Sequence, residues 1–371
     1  MKVKRISFLN DFKCTAEKCP ANCCHNSWKI PIDPDMYQKY RREKGLLGLL
    51  LRCSTTKRHG IATFRNTFRG CPFWGKDQLC GIQKKHGTTY MPVVCRQFPR
   101  QLYNLKFFCE ETLYLACPEA AWLFLKFCAE DKPFAFIVTE ENVSYKVNTT
   151  NDDKEFLEYL LDARNELIQI LKNGAPFDSM AVLHYGQAAQ NACLCQRPLP
   201  SPLEYNSHER YRITCEEIDD MLFHGFYHPR LRTISPLLYS LCQKYMRKFG
   251  RTGRKNSADA NRKLALLKES LCRKMPDFNQ LLNRYYEYYL LTNFLDIYES
   301  YDFSKCLFYG MAKTNLLWVF IALYAEDKEI LNPRDLATVI AVYERRAQQI
   351  QIRPWEHFCK TFQKTSYGYK I

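Results

Sequence analysis

The sequence has no long apolar segment, no signal-like N-terminus and no glycine-rich cofactor motif. The most apolar stretch, Leu316 to Ala325, is about half the length that crosses a bilayer, so we expect a buried helix there. The first residues, MKVKRISFLNDFK, lack the apolar core of a signal peptide, so we expect neither export nor a disulfide framework. No Gly-x-Gly motif lies between a predicted strand and a predicted helix, which excludes a Rossmann-type cofactor site.

The composition is that of a folded, basic protein. The chain has 371 residues, of which 46% are hydrophobic, so a packed core is expected and global disorder is not. Its formal net charge of +15 favours an acidic partner or substrate. Charge alone does not choose between a nucleic acid, a membrane surface and an acidic protein. There is no internal repeat of fixed period and no low-complexity tract.

Cysteine is abundant, and eight of the 18 cysteines lie in two groups in the first third of the chain. In a reducing compartment such groups indicate metal ligands or redox chemistry, and thiolates select zinc and iron–sulfur clusters. Three of the eight precede a proline, a dipeptide that recurs at iron–sulfur ligands. We therefore predict that all eight bind metal: Cys14, Cys19, Cys23, Cys24, Cys71, Cys80, Cys95 and Cys117.

The spacing leaves the number of metal sites open. Eight ligands can close two sites, or one cluster and one structural zinc. The run Cys-x4-Cys-x3-Cys-Cys is not a zinc ribbon, and Asn26 interrupts the Cys-x3-Cys-x2-Cys run of radical enzymes. His25 is an alternative ligand. Cys109 is assigned to neither class, and the remaining cysteines are expected to be small buried apolar residues: Cys53, Cys128, Cys193, Cys195, Cys215, Cys242, Cys272, Cys306 and Cys359.

The pattern along the chain predicts a mainly α protein, with a loop-rich, cysteine-rich metal-binding module at 1–150 and an all-α helical domain at 151–371. In the module we expect one helix, Pro34–Leu51, capped by Asp33, and strands at Phe134–Val138 and Val143–Val147. Residues 176–210 are expected to be irregular. The remaining helices are predicted at 156–171, 213–224, 234–249, 257–273, 278–299, 304–326, 333–350 and 354–364.

An ordered set of motifs over about 110 residues resembles the flagellin lysine N-methylase family. The motifs are FKCTAEKCPANCCHNSWKI, GCPFWGKDQLCGIQKKHG, PVVCRQFPR and LACPEA, and the family's tryptophan, Phe-Pro-Arg and Cys-Pro-Glu positions fall on Trp28, Phe98–Arg100 and Cys117–Glu119. The helical tail resembles the family more weakly. This resemblance implies a cytoplasmic enzyme that transfers methyl groups from S-adenosylmethionine to lysine ε-amino groups of flagellin, with an iron–sulfur cluster of the 4Fe-4S type.

Two further sets of residues have two readings each, and no catalytic residue is assigned. Arg96 and Arg100 beside Cys95 either grip a carboxylate such as that of the methyl donor or form a structural ion pair. The tyrosines of the segment YYEYY, Tyr285 to Tyr289 with Glu287, either form an aromatic wall for a cationic amine or pack in the core. Core packing is the interpretation that we favour for the tyrosines.

Two rival functions remain. The first is a non-catalytic metal-binding protein, such as a metal carrier or assembly module, which would not bind S-adenosylmethionine. The second is nucleic-acid binding through the basic run Lys244–Lys263, which is more typical of a solvated loop between helices. We expect flagellin as the partner, and neither a membrane nor a nucleic acid.

Overall fold

The computed structural model of the chain describes residues 1–25, 30–67, 70–141, 147, 149–205, 209–250 and 257–347, and it confirms a mainly α fold. The helices are α1 (Pro34–Arg42), α2 (Gly45–Cys53), α3 (Gly81–His86), α4 (Val93–Gln97), α5 (Pro118–Ala129), α6 (Lys154–Lys172), α7 (Met180–Leu194), α8 (Cys215–Met221), α9 (Leu231–Ile234), α10 (Pro236–Phe249), α11 (Ser257–Lys274), α12 (Phe278–Asn293), α13 (Ile297–Ser300), α14 (Phe303–Ala325) and α15 (Pro333–Ala347). The strands are β1 (Lys2–Ile6), β2 (Pro31–Ile32), β3 (Thr55–Arg58), β4 (Ile61–Phe64), β5 (Arg100–Asn104), β6 (Phe108–Leu113) and β7 (Phe136–Glu140).

The strands form two small sheets that the sequence analysis largely missed. One has the order β5-β6-β1-β7, with β1 and β6 parallel, and the other has the order β2-β4-β3. The strand expected at Phe134–Val138 corresponds to β7, whereas most of Val143–Val147 lies outside the described residues. All six residues of β6 are buried, acidic ones included, so this strand shows no alternation of polar and apolar residues.

A buried ion pair joins this sheet to the helices. The Arg164 guanidinium on α6 donates from both terminal nitrogens to Glu110 of β6, at 2.9 and 2.8 Å. Each side chain is only 5% exposed. Because the geometry is bidentate and both charges are out of water, removing one partner would leave the other buried and uncompensated.

The apolar core consists of two clusters of buried side chains. The smaller one lies within residues 30–91, includes Cys71, and has Cys24, Cys80 and Cys95 packed against it. The larger one contains Leu113, Phe124 and other side chains from the first 150 residues together with those of the long helices. The boundary at residue 150 stays a prediction.

Two helix predictions are wrong in detail. The helix expected at Pro34–Leu51 is two helices, α1 and α2, because the chain turns at Gly45, whose φ of 69° ordinary residues rarely adopt. The Asp33 cap is confirmed, since its carboxylate accepts from Met36 N at 3.3 Å.

The segment expected to be irregular contains α7, which begins after a serine cap at Ser179. The helix expected at 354–364 lies outside the described residues.

The most apolar helix, α14, is a core helix, as expected. Among the described residues it is the one helix long and apolar enough to cross a membrane, but 89% of its most apolar window is buried inside the protein. At its C-terminal end, Lys244 and Lys248 of the basic run form ion pairs with Glu326. These cations therefore also oppose the partial negative charge of the helix end.

Candidate metal centre and adjoining cavities

Main-chain hydrogen bonds bring the two cysteine groups together. Cys71 N donates to Cys24 O at 2.9 Å, which places the second group against the first. Asn22 fixes the loop before Cys24, because its amide donates to Gln78 O at 2.7 Å and its Oδ1 accepts from Cys24 N at 2.9 Å. Cys80 lies two residues after Gln78 and directly precedes α3. Residues far apart in sequence are thus held at one place by the chain itself.

Four thiols converge at this place. The side chains of Cys23, Cys71 and Cys80 surround the Cys24 thiol, whose single proton can be donated to only one of them at a time. The nearby Cys24 thiol lowers the pKa of Cys23 to about 7, lowers the pKa of Cys71, and lowers the pKa of Cys80 to about 6. The same contacts raise the pKa of Cys24, which keeps the proton.

Main-chain N–H groups favour the anionic form of these sulfurs further. The main-chain N–H groups of Ile82 and Gln83 at the start of α3 lower the pKa of Cys80, and that of Phe73 lowers the pKa of Cys71. Main-chain N–H groups near sulfur also tune cysteine-ligated clusters. Loss of a proton from any of these thiols gives the thiolate that a soft cation binds.

The other four predicted ligands lie at different distances from this quartet. Burial raises the pKa of Cys95, and Cys71, Cys23 and Cys80 raise it further; Cys95 also packs against the same apolar cluster as Cys24 and Cys80. Burial also raises the pKa of Cys19 and raises that of Cys117 to about 12. Cys14 is exposed, and its sulfur accepts from Ala16 N at 3.4 Å.

Within the described part of the chain, no group of three or more His, Cys, Asp or Glu side chains has the arrangement of metal ligands. The ligand assignment of all eight cysteines therefore stays a prediction, and the quartet is the place where four of their sulfurs lie close together.

Arg345, near the end of α15, is a residue of this centre that the sequence analysis did not single out. Its guanidinium is buried and donates to Ala116 O at 2.8 Å, to Asn22 O at 3.1 Å and to Ala21 O. It therefore fastens the first cysteine loop and the residue before Cys117 to the helical domain. A basic residue in the last turn of a helix is ordinary, so nothing in the sequence distinguished it.

The sulfur atoms around Arg345 form an electrostatic partner for it. Desolvation lowers the pKa of the Arg345 guanidinium, whereas Cys23, Cys19 and Cys117 act in the opposite direction. A buried cation beside several potential thiolates favours their anionic form, which is the form that binds metal.

The two arginines predicted to bind the methyl donor are on the surface. Arg96 is exposed on α4. Arg100 Nε lies 3.5 Å from Glu111 Oε1, and its guanidinium carbon lies 5.8 Å from the centre of the Phe12 ring. Glu111 is thus an ion-pair partner of Arg100, and the role of Arg100 in binding a carboxylate ligand stays a prediction. His25 is stacked on Trp74, with ring centres 4.4 Å apart.

Two clefts flank the quartet. The larger, of about 1190 Å³, runs between the small sheet and β5, and Phe98, Arg100, Tyr114 and Arg345 are among its lining residues. The other, of about 630 Å³, is lined by residues of the first cysteine loop and by α10 and α15. Both are large enough for a nucleoside-sized ligand. Arg345 lines both.

The tyrosines of α12 are buried, as the packing interpretation expects. Tyr286, Tyr288 and Tyr289 donate to the main-chain oxygens of Leu307, Leu113 and Cys306. Tyr285 differs, since its hydroxyl donates to the Glu344 carboxylate.

The acid that the sequence analysis placed with these tyrosines is the wrong one. Glu287 pairs with Arg284 at 2.6 Å, and it is Glu344 of α15 that meets the tyrosines.

The cysteines expected to be apolar core residues divide by environment. Cys215 and Cys242 are fully buried, and Cys109 is too. The expectation is wrong for Cys53 and Cys195, which are exposed at the ends of α2 and α7. Cys128, Cys193, Cys272 and Cys306 are partly buried, and Cys359 lies outside the described residues.

Comparison with known proteins gives three similar sequences. Over 124 residues, 32% of this chain, the sequence is 28% identical to the flagellar biosynthetic protein FliU of Salmonella muenchen, of which the match covers 73%. The identity is also 28% over 124 residues to proteins named lysine-N-methylase from Salmonella choleraesuis and Salmonella typhimurium, of which the match covers 31%. No family model and no solved structure matches. The resemblance to the lysine N-methylase family is therefore confirmed over about a third of the chain.

Proposed function

We propose that this protein is a cytoplasmic S-adenosylmethionine-dependent methyltransferase that modifies lysine ε-amino groups of flagellin with the help of a cysteine-bound iron–sulfur cluster. The similarity to proteins named lysine-N-methylase and FliU carries this proposal. The matching region spans about a third of each lysine-N-methylase, so the activity of the whole protein is inferred and not transferred. The basic net charge of +15 supports it, because it would speed encounter with an acidic filament subunit.

The thiol quartet is the part of the site that would hold the metal group. Its donor types fit, because four cysteine sulfurs lie together, but they do not have the arrangement of metal ligands in the structure, so they would have to move to bind a cluster. When bound, a cluster of the 4Fe-4S type would supply electron-transfer or Lewis-acid chemistry there; since four cysteine ligands fill all four of its iron positions, only three of the quartet would bind it if one iron is to stay open for the methyl donor. Arg345 would offset the negative charge of the cysteine ligands from the side of α15.

The protein's own residues define where the methyl donor would lie. The cleft of about 1190 Å³ is bordered by the aromatic side chains of Phe98 and Tyr114, which can stack on an adenine ring. Arg100 lies at its edge and can reach a carboxylate if it exchanges the Glu111 partner for the ligand. The cleft therefore offers an aromatic wall and a cation, the two groups that such a donor needs.

The decisive experiment combines metal analysis with a methylation assay. Protein purified without oxygen should be brown, with absorption at roughly 400 nm from cysteine-ligated iron. With S-adenosylmethionine and flagellin from its own source, it should add mass to flagellin lysines in steps of about 14 Da. The Cys80→Ser variant is the negative control, and Cys242→Ser, at a fully buried thiol away from the quartet, is the matched positive control.

The outcomes separate the proposal from its rival. A colourless protein that holds zinc and no sulfide would refute the iron–sulfur part. An intact cluster without any binding of S-adenosylmethionine would support a non-catalytic metal-binding protein instead.

A further inference from the structure

A small cavity lies against Glu344, between α12, α14, α15 and the end of β6. Its volume is about 30 Å³, enough for one or two groups of the size of water or ammonium. Four of its eleven lining residues are tyrosines: Tyr114, Tyr285, Tyr288 and Tyr289. The remaining lining residues include Gln101, Thr292, Asn293 and Lys313.

The charge in this cavity is suited to an amine. The Glu344 side chain is only 4% exposed and accepts hydrogen bonds from the Tyr285 hydroxyl and, at 3.0 Å, from Lys313 Nζ. A carboxylate buried among aromatic rings is stable only with a cation beside it. Lys313 Nζ also lies 5.7 Å from the centre of the Tyr289 ring. An alkylammonium group is therefore already the cation that this site holds, supplied here by the protein itself.

The walls of the cavity are fixed in place. The Tyr288 hydroxyl donates to Leu113 O at 2.5 Å and accepts from Leu113 N at 3.1 Å. The Tyr289 hydroxyl donates to Cys306 O at 2.9 Å. Because these hydroxyl groups are held by the main chain, the rings need not reorganise when a ligand enters, which favours binding.

The cavity adjoins the cleft in which we place the methyl donor. Gln101 and Tyr114 line both. Glu344 and Arg345 are consecutive on α15, so the cavity and the cysteine loop are attached to the same turn of one helix. A group in the cavity would therefore lie next to both the cleft and the cysteine module.

We propose that this cavity, on the premise of the proposed function, binds the ε-ammonium group of the lysine side chain that is to be methylated. Because Lys313 already pairs with Glu344, the incoming ammonium group would take the place of Lys313 Nζ at the carboxylate, among the same aromatic rings. The volume of about 30 Å³ admits an ammonium head, and the alkyl chain behind it would lie in the adjoining cleft.

The test is direct binding of a small probe to the full-length protein. n-Butylammonium chloride and n-pentanol have similar size and differ in charge, so calorimetry with both isolates the effect of the cation. We expect butylammonium to bind at least about tenfold more tightly than pentanol. Glu344→Gln should abolish this preference, and Tyr285→Phe should weaken butylammonium binding about threefold, because the carboxylate loses a donor that orients it. Equal affinity for the two probes in the wild-type protein would overturn the proposal.

A matched control guards against indirect effects. Tyr286→Phe lies on the same helix and removes a hydroxyl that donates to Leu307 O at 3.0 Å, outside the cavity lining. It should leave the affinity unchanged. If Glu344→Gln does not fold, the comparison of Tyr285→Phe with Tyr286→Phe decides, and equal effects of the two would count against the site.

The same variants distinguish this proposal from the proposed function. The binding assay needs neither methyl donor nor flagellin, so a selective ammonium site would stand even if no methyl transfer were found. Conversely, methylation of flagellin with an unchanged KM in Tyr285→Phe would place the lysine elsewhere and leave the proposed function intact.

Discussion

Replacing Arg345 with methionine should destabilise the protein and loosen the cysteine loop together. Methionine has a similar length and no charge, so it removes the hydrogen bonds while filling much of the space. Loss of the Arg345 guanidinium would leave the carbonyl groups of Ala21, Asn22 and Ala116 without the donor that they have in the structure. These carbonyls belong to the loops that carry Cys19, Cys23, Cys24 and Cys117.

The size of the effect follows from those three bonds. A buried acceptor left without its donor costs about 1–2 kcal/mol, so the sum is about 3–6 kcal/mol. Removing a buried guanidinium also removes its desolvation penalty, which is the main cause that lowers the pKa of Arg345. This gain offsets part of the loss, and we expect the free energy of unfolding to fall by about 3 kcal/mol.

The assay compares Arg345→Met with Arg346→Met at the next position of the same helix. Arg346 is partly buried and donates from Nε to Phe226 O at 3.0 Å, away from the cysteine loops. We expect this control to lose about 1 kcal/mol and to keep its metal. Urea unfolding followed by circular dichroism gives the stabilities, and metal analysis with thiol titration reports the state of the cysteines.

Two results would refute the reasoning. If Arg345→Met retained full metal and wild-type thiol reactivity, the guanidinium would not hold the cysteine loops. If both variants lost the same stability, the three hydrogen bonds of Arg345 would contribute no more than the contact of Arg346.

Three further predictions concern the metal, the fold and the methyl donor. Cys80→Ser should lose metal and solubility together, because metal-binding energy is also folding energy, whereas Cys242→Ser should keep both. Equal metal content in the two variants would show that the ligands are misassigned. Glu110→Gln should lower the free energy of unfolding by about 3–5 kcal/mol in urea titrations, because it leaves the Arg164 charge buried without its partner. A loss below about 1 kcal/mol would contradict a buried ion pair. Arg100→Ala should raise the Kd for S-adenosylmethionine and leave the metal bound, whereas an unchanged Kd would restrict that arginine to its ion pair with Glu111.

Most of the helices could be predicted from the sequence because their apolar residues recur at helical spacing and their capping residues can be recognised. In α6, Phe156 and Leu160 fall on one buried face, and Asp153 caps the first turn. The sheet around β6 could not be predicted in the same way. Its acidic residues are buried because Arg5 and Arg164 pair with them, and those partners come from distant parts of the chain.

The candidate site was predictable in its residue types and not in its arrangement. Cysteine spacing predicted a metal-binding module, which stays a prediction, and the proximity of Cys24 to Cys71 and Cys80 depends on how the loops pack. The tyrosines of α12 were recognised as a candidate aromatic wall, and Glu287 was taken as their acid because it lies between them in sequence. In the helix it points to Arg284, and the carboxylate at the tyrosines comes from Glu344 on another helix.

Helix α15 places the cysteine loops and the tyrosine cavity next to each other. Consecutive residues of an α-helix project about 100° apart, so Glu344 and Arg345 contact different neighbours from the same turn. Glu344 meets the rings of α12, and Arg345 reaches Ala116, 229 residues away in the chain. A displacement of α15 would therefore move both side chains together, since both are carried by the same helical turn. The cysteine motifs that carry the family resemblance therefore depend on an arginine that lies far outside them.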